Sequence, residues 1–577
     1  MVEIKYNKRK TIKRQAFIDL ASVLLIVLFL NIIFIKFHTR IDLTGEKRYT
    51  LADASVKILS DLDDVVFIKV YLDGDLPPGF KRLKNSVKET LENFRSHAGE
   101  NLGYEFFDPS STDDQKIKNS IYSQLAEKGI QPTNLHYKTG GGTAQKIIFP
   151  GALIYYKGKE LPVQFLKSKM GESPESNLNN SIESIEFELM HSIRKLIKSE
   201  KIKIAFITGQ GELNDTYTQD ITLSLQEYYD VERINLTDFL PDKLNKYKAI
   251  IIAKPTEKFH EKEKFKIDQY IMQGGNVLWL VEMLNATMDS LKGGNPQITT
   301  NYDLNLEDQL FKYGVRVNPD MINDLKCAPI PIVTGFAGDQ PQQMLLPWYF
   351  FPLLTANNKH PIVKNLESVK SEFANTIDFV GKTKTIKKTI LLTSSQYTKI
   401  LNPPVRIHLD VLRTDPDPKQ FIKKNKKVAV LLEGVFSSVF ENRLSQSTKT
   451  MLDSLKLTFH KTSKPTKMIV VSDGDIIKND IHLSDMKTLP LGYDKYTNKT
   501  FGNKNFILNC IDYLCDDYGI ISIRSKDVEL RLLDKLKVEN ERSQWQFINV
   551  GLPIILLLLF GVIYNVVKRN KYTSDST

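Results

Sequence analysis

Cysteine is nearly missing from this chain. Its 577 residues hold three, Cys327, Cys510 and Cys515. A sparse, odd count excludes a disulfide-rich scaffold. Cys510 and Cys515 stand five apart in an expected helix, so they point to different faces and are poorly placed to pair. Small buried hydrophobes are the expected role. Catalytic signatures are missing too. No Gly-x-x-x-x-Gly-Lys-[Ser/Thr] loop is complete: beside Gly381-Lys382-Thr383, the earlier glycine position holds Thr376. There is no Gly-x-Ser-x-Gly elbow and no His-Glu-x-x-His helix. His408-Leu409-Asp410 is the nearest approach to a ligand pair and makes no metal site by itself. No metal and no cofactor is therefore expected. The net charge of +11 invites a nucleic-acid reading. Much of the excess sits in the tails, and no basic, aromatic-interleaved module stands out, so no nucleic-acid partner is expected.

What the chain does have is two long apolar runs, one near each end. The first, 17–37, matches the ~20 residues a helix needs to cross hydrocarbon. Lys5, Lys8, Arg9, Lys10, Lys13 and Arg14 precede it. It lacks a small-x-small cleavage site and is read as an uncleaved anchor. The second, 547–567, begins after Trp545 and is followed by Lys568, Arg569 and Lys571. Basic flanks place both termini in the cytoplasm and the body between them outside it. Two helices cannot enclose a translocation path. Asn31, Gly551 and Gly561 are polar or small positions suited to contact with another membrane helix.

The body reads as α/β. Strands at 65–72 and 102–107 alternate with helices at 80–94 and 114–128, and strands at 134–138 and 147–156 follow. This β-α-β-α-β-β order suits a thioredoxin-like layer, without the Cys-x-x-Cys that redox chemistry needs. An exposed link (167–180) and a helix (182–199) lead to strands at 202–208, 229–234, 249–253 and 276–281, with helices at 220–228 and 257–273. Their continuous apolar strands predict a parallel sheet covered on both faces. Strands at 428–435 and 468–472 extend it, Pro329–Pro331 and Pro403-Pro404 mark loops, and 503–516 is helical.

Ligands collect at the carboxyl ends of strands in such sheets. Gly209-Gln210-Gly211-Glu212 lies at one end, either as an anion-binding turn or as a tight turn needing flexible backbone. Asp473 and Asp475 lie at another, as ligands for a cation or sugar hydroxyl, or as an Asp-Gly turn. Trp348 opens an aromatic patch that stacks on a sugar, meets a partner or pins a loop.

Longer stretches carry a resemblance. Asp42-Leu-Thr-Gly-Glu-Lys-Arg-Tyr-Thr-Leu-Ala-Asp-Ala-Ser55, Ile207-Thr-Gly-Gln-Gly-Glu-Leu213, Phe265-Lys-Ile-Asp-Gln-Tyr-Ile-Met-Gln-Gly-Gly275 and Ser472-Asp-Gly-Asp-Ile-Ile477 resemble the gliding-motility ABC-transporter auxiliary ("substrate-binding") proteins of Bacteroidota, the GldG type. The resemblance implies a non-enzymatic inner-membrane subunit that partners a multi-span permease and a cytoplasmic ATPase, with possible envelope partners. It also implies that the second unit is similar to a glutamine-amidotransferase-like fold whose enzymes keep a nucleophilic cysteine at a strand-to-helix turn. None of the three cysteines occupies such a turn in any obvious way. The organisation expected is a cytoplasmic tail (1–16), an anchor (17–37), a thioredoxin-like domain (38–166), a linker and helix (167–200), an amidotransferase-like domain (201–519), a connector (520–546), a second anchor (547–567) and a cytoplasmic tail (568–577). The body then binds or gates cargo or couples to envelope components; a structural scaffold for gliding or secretion machinery, with no cargo, is the rival.

Overall fold

The computed structural model describes residues 14, 17–18, 20–29, 50–139, 142–166, 173–197, 201–238, 241–291, 295–337, 340–356, 360–364, 366–381, 385–444, 450, 458–482, 487–516, 519, 521, 523 and 535–573. The chain divides into two compact units, 1–526 and 527–577.

The larger unit is mixed α/β and begins with a four-stranded sheet. Strand β1 (Val66–Val70) buries Val66, Ile68 and Val70 and turns Phe67 outward, the period of two that puts alternate side chains on one face. It pairs in parallel with β2 (Leu102–Phe106), a connection that requires a crossover. Helix α1 (Pro78–Ala98) supplies it. Pro78 starts this helix where a missing N–H costs nothing, and Leu83, Val87, Leu91 and Phe94 bury one stripe. Helix α2 (Gln115–Glu127) is capped by Asp114, whose side chain accepts from the Lys116 and Ile117 backbone N–H groups. Strands β3 (Gly151–Tyr156) and β4 (Lys159–Gln164) form a hairpin, with positive φ at both Lys157 and Gly158. The strand order is β2-β1-β3-β4, with β3 antiparallel to β1.

Three expectations need correction here. The strand at 134–138 does exist, as Thr133–Thr139, but it pairs with Gly142–Ile148 in a hairpin outside this sheet. The run 147–156 is two strands, broken at Phe149-Pro150, where Pro150 has no N–H to give a ladder. The link expected at 167–180 is also partly helical. Helix α3 (Pro174–Ile197) begins inside it, with Ser173 Oγ accepting from Ser176 N at 3.1 Å.

The second sheet has seven strands. They are β5 (Ile202–Thr208), β6 (Tyr229–Asn235), β7 (Ala249–Ala253), β8 (Asn276–Leu280), β9 (Ile386–Thr393), β10 (Lys427–Gly434) and β11 (Thr466–Val471). Their order is β9-β10-β11-β8-β7-β5-β6. The five strands from β6 to β11 are parallel, whereas β10 and β9 pair antiparallel. The expected all-parallel sheet is thus mixed; an antiparallel edge dispenses with the crossover helix that each parallel neighbour needs. Every residue of β7 and β8 is buried, because both faces are covered. Helices α4 (Gln219–Gln226) and α7 (Asn503–Cys515) pack on one face through Ile221, Leu225, Phe506, Cys510 and Leu514. Helices α5 (Glu261–Met272) and α6 (Glu307–Tyr313) cover the other through Ile267, Tyr270, Leu310 and Tyr313. Cys510 and Cys515 are buried free thiols.

Pro329 and Pro331, expected in a loop, stand instead in a long ribbon made by Cys327–Ala337 and Gln340–Leu354. A proline is tolerated where a strand edge has no further partner.

In the smaller unit one helix, Asn540–Val567, is long and apolar enough to cross a membrane. A π-turn at Phe547–Gly551 precedes Pro553, whose missing N–H cannot continue the regular ladder. Of the N-terminal run, Leu20–Phe29 is an exposed apolar helix shorter than a span, and Asn31 lies outside the described residues.

Leu431 is fully buried in β10, whereas Leu223 on α4 is 58% exposed. Leu431→Ala should therefore lose about 2–5 kcal/mol to transfer and cavity. Leu223→Ala should stay within about 0.5 kcal/mol. Urea unfolding of the detergent-solubilised chain compares the two.

Candidate functional site

Because β5, β7, β8 and β11 run in parallel, the residues that follow them emerge at one edge of the sheet. After β5 come Gly209 and Gly211, both at positive φ. A Cβ at Gly209 would lie 2.6 Å from Asn235 Oδ1, and one at Gly211 2.2 Å from Thr256 Oγ1. Backbone and space therefore both demand glycine. The turn is fastened to the loop after β7: Thr256 N and Glu257 N donate to Gln210 O at 3.0 and 2.9 Å, and Leu213 N donates to Ala253 O at 3.0 Å. Gln210 N donates to Glu212 Oε2 at 2.7 Å. Gln210 Oε1 and Glu212 Oε1 are buried without a hydrogen-bond partner among the described residues. Burial pushes the Glu212 carboxyl up to about 6, and the Glu257 charge adds to it.

Beside this turn is a cluster of buried charges that sequence reading reached only in part. Lys254 follows β7 and takes a left-handed φ of 54°, rare for a side chain of its size. Glu282 follows β8, and Asp473 and Asp475 follow β11. All four are buried. The Lys254 ammonium pairs with Glu282 Oε2 at 3.4 Å and donates a short hydrogen bond to Asp475 Oδ2. Lys478 lies 3.5 Å from Asp475 Oδ1. Backbone donors complete the arrangement: Gly474 N reaches Glu282 Oε1 at 3.0 Å, and Asp475 N reaches Asp473 Oδ1 at 2.8 Å.

The segment 371–376 closes over these groups. Ser371 Oγ and Glu372 N donate to Asp473 Oδ2 at 2.6 and 2.9 Å. Asn375 N donates to Ser472 O at 2.9 Å, while Asn375 Oδ1 accepts from Met283 N at 2.8 Å.

Electrostatics follow from this geometry. Burial holds the Glu282 carboxyl well above its ordinary range, against the pull of Lys254. Burial, with the neighbouring Asp475, pushes Asp473 up to about 7. Burial also works upward on Asp475, but Lys254 and Lys478 outweigh it and hold this carboxyl below its usual value. For Lys254 burial acts downward, and Glu282 with Asp475 more than offsets it, so the ammonium stays charged. Oxygens of Glu282, Asp473 and Asp475 lie within 4.8 Å of one another, close enough to share a cation. The Lys254 amine already pairs with two of the three, so a tethered cation supplies the charge that a metal ion would bring.

The structure thus gathers Gly209, Gln210, Gly211, Glu212, Asp473 and Asp475 at one sheet edge, with the two aspartates buried. Trp348 is elsewhere and fully buried, its ring 5.0 Å from that of Phe350. Gly551 is in the π-turn; a Cβ at Gly561 would meet nothing within 4 Å. The signal for Lys254 and Glu282 was a charged residue placed directly after, or one residue beyond, an entirely buried strand whose last four residues are apolar.

These features define a mixed α/β protein whose sheet edge is fastened by internal ion pairs, accompanied, among the described residues, by one apolar helix of spanning length. The chain belongs to the family described as an ABC-type uncharacterized transport system, whose profile matches residues 201–510, and its role is accessory and transport-associated. A domain of unknown function (DUF7088) matches residues 45–155. A protein of Borreliella burgdorferi, named "Uncharacterized protein", is 22% identical over 448 residues, covering 76% of this chain and 82% of that protein. A solved structure, "mmIFT52 N-terminal domain", is similar with a TM-score of 0.31 and 15% identity, covering 54% of this chain and 96% of its own.

Lys254→Met leaves buried carboxylates without their cation and should cost about 3–5 kcal/mol. Adding Glu282→Gln and Asp475→Asn should recover most of that loss, which urea midpoints would report. Glu212 gives a second test. A carboxyl raised in the folded state keeps a proton that the unfolded chain has released, so its contribution to stability falls as pH rises from 4.5 to about 6. Glu212→Gln should remove that slope from a plot of melting temperature against pH.

Proposed function

We propose that this chain is a non-enzymatic auxiliary subunit of a gliding-motility ABC transporter of the GldG type. An apolar helix near each end anchors it in the inner membrane, both termini lie in the cytoplasm, and the body stands in the periplasm. That body binds or gates cargo, or couples the transporter to envelope components. A multi-span permease and a cytoplasmic ATPase are its partners.

One observation carries the non-enzymatic reading. The turn between β7 and α5 holds a residue that is left-handed and not glycine, and that residue is Lys254. In amidotransferase-like enzymes a strand-to-helix turn carries the nucleophile. Here the amine is charged and engaged by two carboxylates, so it offers no lone pair for attack. Neither Cys510 nor Cys515 stands at such a turn, since both lie within α7, and burial pushes the Cys510 thiol further from its reactive thiolate form. A non-catalytic, amidotransferase-like unit over 201–519 fits these facts.

The order β2-β1-β3-β4, with one parallel and two antiparallel pairs, supports a thioredoxin-like layer within 38–166. The helix Asn540–Val567, followed by Lys568 and Arg569, supports an anchor with a cytoplasmic C-terminus.

Purification from detergent under native expression tests the partnership: a permease and an ATPase should accompany the chain in fixed ratio, and their absence overturns it. Compartment-specific reporters test the topology. A fusion at Thr577 should report cytoplasm and one in the 167–172 segment should report periplasm; reporters in a single compartment would sink the proposal.

A further inference from the structure

We propose that a cavity between the two α/β layers of the larger unit is a binding site for a small organic anion with an apolar body. The cavity measures about 260 Å³. Its walls come from three places: the edge strand β4 of the first sheet, the last turns of α3, and the edge of the second sheet where β5 and β6 begin.

Charge is its first distinguishing property. Lys159, Arg194, Lys195 and Lys201 line it, with Glu227 as the lining carboxylate. Asp516 engages Arg194 at 3.1 Å, and Asp512 accepts from the Tyr229 hydroxyl at 2.7 Å and lies 4.0 Å from His191 Nε2. Glu188 acts on Tyr228 electrostatically. None of these acids is among the residues that line the cavity. With Arg194 engaged by Asp516, the lining presents three lysines to one carboxylate, and like charges around a half-enclosed space favour entry of an anion.

Apolar surface is the second property. Leu161, Leu196, Ile202 and the Tyr228 ring share the lining, and the Lys195 amine sits over that ring. A bare phosphate would leave these groups uncovered. A planar carboxylate would place its charge among the lysines and its ring against Tyr228 and Leu161. The volume, just below the ~300–1,000 Å³ of ordinary small-molecule sites, restricts the ligand to a compact acid.

This inference is independent of the transporter reading, because it needs only the walls described. The experiment uses the full-length protein in an uncharged detergent, titrated calorimetrically with 2-naphthoate and separately with 1-naphthylmethylamine. Naphthoate should saturate at one per chain and the amine should not. Lys159 and Lys201 are exposed side chains, so Lys159→Glu combined with Lys201→Glu should leave the melting temperature unchanged while weakening naphthoate binding about tenfold or more. Absent or non-saturable naphthoate binding, equal binding of the amine, or affinity unaltered by the charge reversals would each overturn the site. Should the double variant melt early, Lys159→Gln alone provides the comparison: it should weaken naphthoate binding measurably, and an unchanged affinity counts against the proposal.

Discussion

The Lys254 ammonium decides whether the carboxyl edge of the large sheet can remain closed. Parallel pairing of β7, β8 and β11 delivers Lys254, Glu282, Asp473 and Asp475 to one place, and covering the sheet on both faces buries them there. Each carboxyl then resists ionisation, and a cation among them is the remedy that keeps at least Asp475 charged. Backbone N–H groups of Gly474, Asp475 and Glu372 meet Glu282 Oε1 and both Asp473 oxygens, while Asp475 Oδ1 accepts no hydrogen bond among the described residues and faces the Lys478 ammonium at 3.5 Å. Because these donors come from separate stretches of chain, the cluster fixes the loop after β11 and the segment 371–376 together. A buried ion cluster adds little net stability over a well-packed apolar core; what it does supply is direction, since each pairing is satisfied in one arrangement.

Strands buried on both faces were the most legible part of the fold. The sequences of β5 and β7 are short apolar runs bounded by polar residues, and their limits could be read directly. Strand direction could not, because it depends on which element the chain visits between strands. Thus β10 was found, but its antiparallel pairing with β11 was not. Strand β9, with two lysines and several half-exposed positions, carries no clean period at all. The long ribbon was hidden by its prolines: Pro329 faces Pro347 across the pair, and both read as loop residues unless the further pairing of Gln340–Leu354 is known to fall at Leu353 and Leu354, away from Pro347.

The candidate site divides along the same line. The Gly209-x-Gly211 turn announces itself, since only glycine fits its conformation and its space. Asp473 and Asp475 were legible as carboxylates at a strand end, though an Asp-Gly turn on a surface has the same spelling. Lys254 and Glu282 acquire meaning only when β7 and β8 become neighbours of β11, a fact of topology separated by some two hundred residues of sequence. Trp348 shows the converse. Its aromatic neighbours read equally as an exposed platform or as a loop pinned from within, and tertiary packing placed the ring wholly inside.

The closed edge has a mechanical consequence for the rest of the larger unit. The cluster ties the strand ends of the second sheet to one another, and the boundary with the first layer is held by separate contacts. Helix α3 occupies that boundary: Ile185, Met190 and Ile193 belong to the first core, while Arg194 pairs with Asp516 just after α7 of the second. The Arg194–Asp516 pair is largely buried, so separating the layers would strand a charge on each side. Ile521 and Ile523, which follow α7 in sequence, pack into the first core and would have to leave it as well. Sliding that preserves these contacts is cheaper than opening that breaks them, so the boundary favours small shear movements over hinge opening.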